Sequence, residues 1–287
     1  MEPTHDSDSA VLYVVATPLG NIDDLSPRAK AILEDVDYIL AEDTRRTGML
    51  LKRLGVSSNR FLSFHDHNEE NRVPQVLALL EQGKQIALVS DAGTPLVSDP
   101  GFELVRALRS ADIRVSPIPG PSAVVTALSV SGLAPIPFSF LGFLPRKTSE
   151  RRMVFEAFSN IKGSLIFFER KNRLQEAFSD ILAVLGDRPC LIAREMTKKH
   201  EEFLFDTASG FLERPLDILG EVTVVIGPAE QDACGPSTRE EALDAAKHAL
   251  TTGVKPRQAA KSAAQHLCGW TPKAVYELMD SLKHEKE

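Results

Sequence analysis

Cysteine is scarce in this chain, and its scarcity sets two classes of protein aside. The 287 residues hold three cysteines, Cys190, Cys234 and Cys268, far apart and without a CxxC pair. Neither a disulfide framework nor a zinc site is signalled, and the usage fits a reducing compartment. No apolar run approaches the ~20 residues of a membrane-spanning helix. Met1 to Ala10 is polar and acidic, with neither the basic start nor the apolar core of a signal peptide, so a disordered tail is expected. Excess positive charge is also missing: 33 Lys and Arg face 40 Asp and Glu, a net charge of −7. A coat for nucleic acid is thereby disfavoured, although a local basic groove stays open, because docking responds to the local field. Neither GxxxxGK[ST] nor GxGxxG occurs, so neither a P-loop nor a dinucleotide fingerprint is present. There is no internal repeat and no low-complexity tract. The expectation from these absences is an ordinary folded protein of the cytoplasm, bound to no membrane and no metal.

What remains is a rhythm of strand and helix. Val11 to Ala16 reads as a buried strand, and Ser26-Pro27 opens a helix whose stripe is Ala29, Ile32, Leu33 and Val36. Tyr38 to Ala41 and Ile86 to Val89 read as strands, with a helical stripe at Val73, Val76, Leu77 and Leu80 between them. Phe102 to Leu108 reads as a helix, Arg114 to Ile118 as a strand, and Pro119-Gly120-Pro121-Ser122-Ala123 opens another helix. This alternation predicts an α/β fold built on a largely parallel sheet covered on both faces. A link at Leu133 to Phe138 leads to a second α/β block. Its strands are expected at Phe138 to Phe143, Leu165 to Glu169, Cys190 to Arg194, Glu202 to Phe205 and Val222 to Ile226. After a second linker, Gly227 to Pro236, the end of the chain is helical. Thr238 and Glu241 form a capping box, Pro256 opens a helix, and Thr271-Pro272 starts the last one after a turn at Gly269. The expected domains are 11–134, 135–230 and a helix-turn-helix-like 236–287, after a tail at 1–10. The last of these carries eight basic against seven acidic residues from Thr238 onward, so a packing appendage and an RNA-docking module fit it equally.

Four loops that follow strands are rich in Gly, Pro, Asp and Thr: Thr17 to Asn21, Glu42 to Arg45, Ser90 to Gly101, and Pro119 to Ala123. Any one of them alone is a tight turn. Four at corresponding strand ends mark the place where open α/β sheets collect ligands. In the third loop Asp91 and Asp99 are either turn formers or carboxylates that accept hydrogen bonds from a ligand. His65-Asp66-His67 has no further ligand cluster near it, so metal binding is not expected. Three basic clusters interrupt an acidic protein: Arg146, Lys147, Arg151 and Arg152; Arg170, Lys171 and Arg173; Arg194, Lys198, Lys199 and His200. They are either solvated faces or grips on a phosphate backbone.

The strings VATPLGNIDDLSPRA, AEDTRRT, SFHDHNE, SDAGTPLVSDPG, PIPGPSA, AREMTKKHEE and GEVTVVIGP occur in that order. The set resembles the tetrapyrrole methylase superfamily, the class III methyltransferases, and within it the branch that modifies RNA. The resemblance runs from Val11 onward and is least marked in the helical tail. It implies a homodimer of two-domain protomers with S-adenosylmethionine in the cleft between the domains. It also implies 2′-O-methylation of a cytidine ribose in the decoding region of small-subunit ribosomal RNA. Carried over by motif, cofactor contacts fall on Leu19, Ser90, Asp91, Ala92, Leu96, Ser122, Ala123, Phe168, Glu169, Met196 and Thr197. RNA contacts are assigned to Arg146, Lys147, Arg151, Arg152, Arg170, Arg173 and Lys199. Where relatives in that branch have Pro-His between a glutamate and an arginine, this chain has Lys171-Asn172, so any role of that histidine has no carrier.

Methyl transfer to a hydroxyl needs alignment and a base, the latter giving roughly 10²–10⁴-fold. The catalytic candidates are Asp43, Arg45, His65, Glu195 and Lys198, with Asp91 a further base. Lys198 would serve as a base only if burial depressed its pKa. A plain Asp43–Arg45 ion pair is the structural alternative. Two other functions fit the same fold: methylation of a tetrapyrrole or other small molecule, and RNA binding in ribosome assembly without turnover.

Overall fold

The computed structural model describes residues 10–56, 60–213, 220–228, 237–251, 254–264, 267 and 270–284. The chain divides into two compact units between 229 and 230. The anticipated tail before Ala10, Cys234, Cys268, Gly269 and most of the second linker lie outside the described residues.

In the first unit, β1 (Val11–Val15), β2 (Tyr38–Ala41), β3 (Arg60–Ser63), β4 (Gln85–Val89) and β5 (Arg114–Ile118) form a wholly parallel sheet. Its order is β3-β2-β4-β1-β5. Strand alternation sends Val11, Tyr13, Val15, Ile39, Ala87 and Val89 to one face. There Ala29 and Leu33 of α1 (Pro27–Asp35) and Leu51 of α2 (Thr44–Arg53) cover them. Leu12, Leu40, Ile86 and Leu88 face the other way, against α3 (Glu69–Glu81) and α4 (Phe102–Ser110). The expected start of α1 is present: Ser26 Oγ accepts the Ala29 N–H at 3.1 Å, and Pro27 takes the first helical position. Because β1 leads to α1 on one face and β4 to α4 on the other, their outgoing loops part and leave a crevice.

The second sheet is mixed. β6 (Phe138–Phe143), β7 (Ser164–Arg170), β8 (Pro189–Arg194), β9 (Glu202–Thr207) and β10 (Glu221–Ile226) run in the order β6-β7-β10-β8-β9. Of these pairings β6–β7 is parallel and the rest antiparallel. The reason lies in the connections. A parallel return needs a crossover of a dozen or more residues, whereas β8 and β9 are joined by a turn, so β9 reverses. β10, after α8 (Ala208–Leu212), keeps the direction of β9 and inserts antiparallel between β7 and β8. On one face α6 (Thr148–Phe158), α7 (Leu174–Leu185) and α8 bury Phe155, Phe178 and Phe211 against Phe167, Ile192 and Val224. The opposite face, with Ile166, Phe168, Leu191, Ala193 and Val225, meets Val124, Ala127 and Leu128 of α5 (Ala123–Val130), together with Leu19 and Val97.

The second unit packs α9 (Arg239–Thr251), α10 (Pro256–Ala264) and α11 (Pro272–His284) around Ala246, Ala259, Ala260, Ala263, Val275 and Met279. The capping box is formed as expected, with Thr238 N–H to Glu241 at 2.8 Å and Glu241 N–H to Thr238 at 3.2 Å. Thr271 likewise caps the last helix through Ala274 N–H at 3.1 Å.

Phe178 is fully buried, with its ring 4.8 Å from that of Phe211. Phe178→Ala is expected to cost about 3–5 kcal/mol, read as a lowered urea midpoint. An unchanged midpoint would show that α7 is not seated on this sheet.

Candidate active site

A cavity of about 220 Å³ opens between the outgoing loops of the parallel sheet and the α5-facing side of the second sheet. Leu19, Ala92, Gly93, Thr94, Val97, Asp99, Ser122 and Ala123 line it from the first side. Phe143, Phe168, Ala193, Glu195, Met196, Lys198, Glu221 and Thr223 line it from the second. Its floor is tied by a reciprocal bridge: Thr17 N–H to Gly93 O at 2.8 Å and Gly93 N–H to Thr17 O at 3.0 Å. On the far wall Phe168, Thr223 and Ala193 stand in register across β7, β10 and β8. Thr223 is a buried polar residue inside the apolar run Val222 to Ile226. That interruption was the signal by which sequence reading could have found it. Val97, Ser98, Phe143 and Glu221 offered no such signal.

The loops around the cavity hold unusual backbone. Leu96, Ser98, Glu195 and Thr197 all have positive φ, between 49° and 71°, without being glycine. Left-handed non-glycine residues are uncommon and cost about 1–3 kcal/mol each. Four of them on two loops facing one cavity mark a surface kept for a ligand. Electrostatics agrees. Burial holds the Asp99 carboxyl above the usual carboxylate range, and Asp91, Asp66 and Glu221 push the same way. The Glu42 carboxyl is raised too, by desolvation first and then by Asp91, Asp99 and Asp66. The Ser90 hydroxyl is buried beside Asp99 and closes no hydrogen bond of normal length. Among the described residues no group of three His, Cys, Asp or Glu is arranged to hold a metal.

A second hollow adjoins the first at Asp91–Ala92 and is lined by Glu42, Asp43, Arg45, Arg46, Ser63, His65, His67 and Asp91. The five catalytic candidates therefore separate, Glu195 and Lys198 in the first cavity and Asp43, Arg45 and His65 in the second. Asp43 caps α2 through Arg45 N–H at 2.9 Å and pairs with the Arg45 guanidinium at 3.0 Å. The side-chain hydrogen bond from Arg45 is the main reason that its carboxyl is held down to about 2. The plain ion pair is thus what forms, and a carboxylate so held is a poor base. His65 is occupied as well. Asn68 accepts the His65 backbone N–H through Oδ1 at 2.9 Å and donates from Nδ2 to Ser63 O at 3.1 Å. Those two bonds fix its amide, so Nδ2 also faces His65 Nε2 at 3.1 Å and that nitrogen is an acceptor already in use. The proton then sits on Nδ1, which is buried without a partner, and no lone pair of the ring is free for a substrate.

Of the anticipated cofactor residues, Leu19, Ala92, Ser122, Ala123, Phe168 and Met196 line the first cavity. Glu169 does not. Successive strand residues face opposite ways, so with Phe168 in the cavity Glu169 turns to the α6–α7 side. There it is fully buried, 3.3 Å from Arg173, and burial raises its carboxyl. Asp91 faces the second hollow, 2.9 Å from Arg46. Leu96 packs into the core of the first sheet and against Gly101. Thr197 turns toward Asn21, whose N–H it accepts at 3.0 Å.

The basic clusters divide in the same way. Arg151 is fully buried, with 2.6 Å contacts to Asp180, and also points at the carbonyls of Pro145 and Arg146. Arg152 pairs with the same carboxylate at 2.6 Å. Arg173 donates to Leu144 O at 3.0 Å and Pro145 O at 2.6 Å. Arg151 and Arg173 clamp the segment before α6 from within, while Arg152 only braces Asp180, and Arg151 cannot reach a phosphate. Arg146, Lys147, Arg170 and Lys199 are exposed. Arg151→Ala would break the fully buried pair and leave Asp180 only the half-exposed Arg152, so a loss of about 3 kcal/mol is expected, against a smaller loss for Arg152→Ala. Equal urea midpoints for the two variants would refute the buried clamp.

Residues 11–212 match the family model for tetrapyrrole (corrin/porphyrin) methylases. The chain is 40% identical over 262 residues to ribosomal RNA small subunit methyltransferase I of Streptococcus pyogenes serotype M1, covering 90% of each chain. It is 42% identical over 276 residues to the protein of that name from Xylella fastidiosa, covering 94% of this chain and 99% of the relative. The corresponding protein of Escherichia coli O157:H7 is 49% identical over 197 residues, 68% of each. Among solved structures, uroporphyrin-III C-methyltransferase from Thermus thermophilus, complexed with S-adenosyl homocysteine, aligns with a TM-score of 0.56. That alignment covers 75% of this chain and 96% of the other at 16% identity, so it speaks for the fold.

Proposed function

Because the chain belongs to the tetrapyrrole (corrin/porphyrin) methylase family, we propose that it methylates small-subunit ribosomal RNA. Relatives matched over 90% and 99% of their own length are named for that activity. S-adenosylmethionine is the methyl donor, and when bound it supplies a methyl carbon activated by a sulfonium charge. The observation that carries the reading is the first cavity, whose make-up fits such a donor. Leu19, Val97, Phe143, Phe168 and Met196 give apolar walls, Gly93 brings backbone close at φ 87°, and Asp99 offers a carboxyl to a cation. The buried Ser90 hydroxyl, beside Asp99, is a further donor close by.

The finer reading is a cytidine ribose 2′-oxygen in the decoding region as acceptor. Such a hydroxyl must lose its proton. With Asp43 and His65 committed elsewhere, Glu195 is the catalytic candidate among the carboxylates of the first cavity, beside Asp99 and Glu221, and this reading assigns the proton to it. Arg146, Lys147, Arg170 and Lys199 grip phosphates. Exposed Val125, Val130, Ile136 and Phe138 form an apolar stretch that suits a homodimer. Among the described residues no helix is long and apolar enough to cross a membrane, and the reading places the protein in the cytoplasm. The fold alone would equally admit a tetrapyrrole acceptor; the names of the relatives and the exposed cations favour RNA.

Purified protein given labelled S-adenosylmethionine should label isolated small subunits or their RNA, with one ribose becoming resistant to alkaline cleavage. Label on a base, or on no RNA at all, would remove the acceptor assignment. RNA affinity should fall with salt by about 0.7–0.9 in log–log slope per phosphate contacted, and Arg146→Ala with Lys147→Ala should flatten that slope. A salt-independent wild type would exclude phosphate contacts.

The raised Asp99 gives a pH prediction. A carboxyl whose folded pKa lies above its ordinary 3.8 favours its protonated form. Its contribution to stability is therefore present at low pH and is lost as pH rises through the folded value. A bound cation favours the ionised form and so reverses that loss. Affinity for cationic S-adenosylmethionine relative to neutral-sulfur S-adenosylhomocysteine should then rise with pH through and above the carboxylate range. Calorimetry on Asp99→Asn should find the ratio flat; an equally steep ratio in the variant would clear Asp99 of the role.

A further inference from the structure

The turn after β8 reaches across the cleft and rests on the loop after β1. Asn21 donates its N–H to the Thr197 hydroxyl at 3.0 Å, and Glu201 accepts the Thr197 N–H at 2.6 Å. Left-handed backbone at Glu195 (φ 49°) and Thr197 (φ 65°) doubles the turn back and lays Lys198 over Gly20. A Cβ on Gly20 would run into Lys198 Cγ and lie 3.2 Å from Cδ and 3.1 Å from Cε. No side chain beyond hydrogen fits there while the lysine keeps its course. Lys198 Nζ ends 2.9 Å from Glu195 Oε1. That same oxygen would stand 3.4 Å from a Cβ on Gly220. The ion pair is thus seated between the bare backbone of two glycines, and both of its members line the cavity.

We infer that Gly20 is a positioning residue whose absent side chain fixes the Glu195–Lys198 pair at the cleft wall, where Lys198 serves as a fixed cation rather than as a base. This rests on the methyl-transfer reading above. As the oxygen–carbon bond forms and the donor's sulfur–carbon bond breaks, the hydroxyl proton passes to Glu195. Negative charge gathers on the oxygen during that exchange, and a preorganised ammonium stabilises it at no cost of reorganisation. The seating is cheap to disturb in stability and expensive in function. A methyl at Gly20 is relieved by swinging a half-exposed lysine chain aside, and that swing takes the ammonium off Glu195.

The test uses Gly20→Ala, Lys198→Ala and the double variant in the full chain, with two readouts. The first needs no RNA: calorimetric affinities for S-adenosylmethionine and S-adenosylhomocysteine. Losing or displacing a cation from the cleft should favour the cationic ligand over the neutral-sulfur one. Both single variants should therefore shift the affinity ratio in that direction. Any direct effect of the new methyl on the pocket touches both ligands and cancels in the ratio. The second readout is kcat for methyl transfer to small subunits, which should fall on the order of 10²-fold in each single variant with the melting temperature unchanged. When Lys198→Ala is already present, adding Gly20→Ala should change neither readout further. Gly20→Ala at the wild-type ratio and rate, or effects that add in full in the double variant, would overturn the inference. The expected ratio shift in both single variants, together with a wild type that methylates no RNA, would uphold the placement of the cation and overturn the assigned reaction instead.

Discussion

Thr17 and Gly93 exchange two backbone hydrogen bonds, and everything in the cleft depends on that exchange. The loops after β1 and β4 leave the sheet toward helices on opposite faces, so without a tie they would splay. The bridge holds their bases together, and the Thr17 hydroxyl adds a bond to Ser90 O at 3.0 Å. Gly93 is left-handed at φ 87°, a conformation that a side chain would strain. With the floor fixed, Leu19 and Gly20 are presented on one loop and Ala92 to Asp99 on the other. The turn after β8 then has a defined surface on which to rest.

Four strands of the parallel sheet were legible, and β1, β2 and β4, buried on both faces, read as continuous apolar runs between turn signals; the short, part-exposed edge strand β3 gave no such run. The second sheet was legible in its strands and not in their direction, since apolar runs at Leu165 to Glu169 and Val222 to Ile226 do not say which way a neighbour runs. The site shows the same division. Motif order pointed to Leu19, Ala92, Ser122, Ala123, Phe168 and Met196, all of which line the cavity. It gave Glu169 with its neighbour, although a strand cannot aim both into one cleft. Charge runs were the least informative. Arg151 and Lys147 read alike in sequence, and the structure buries one against Asp180 while leaving the other beside Glu150 in solvent. What separates them is a carboxylate 29 residues along the chain, which no local pattern displays.

Charge in this protein is sorted by depth. Carboxylates gather around the two hollows, at Glu42, Asp91, Asp99 and Glu221, and burial together with the neighbouring charges raises the proton affinity of Glu42 and Asp99. Several arginines are spent inside, with Arg151 and Arg173 holding the carbonyls of Leu144 to Arg146. Buried cations of this kind contribute little net stability against an apolar alternative. Their effect is geometric, for the segment they clamp carries Arg146 and Lys147 outward on a fixed backbone. A protein of net charge −7 can in this way present a local cationic edge and keep an acidic cleft.

This sorting explains how one fold serves methylation of unlike substrates. The cleft is made from backbone shape: glycines at 20, 93 and 220, left-handed turns at Leu96, Ser98, Glu195 and Thr197, and an apolar wall from the second sheet. None of that specifies the acceptor. In the function proposed above the acceptor is set by side chains on the rim, and a rim can change without moving the floor, because Arg146, Arg170 and Lys199 are exposed. Lys198 belongs to both. Its stem is shaped by Gly20 on the floor and its ammonium stands at the rim. For that reason its position, more than its charge alone, links the backbone architecture of the cleft to the chemistry of whatever hydroxyl is brought there.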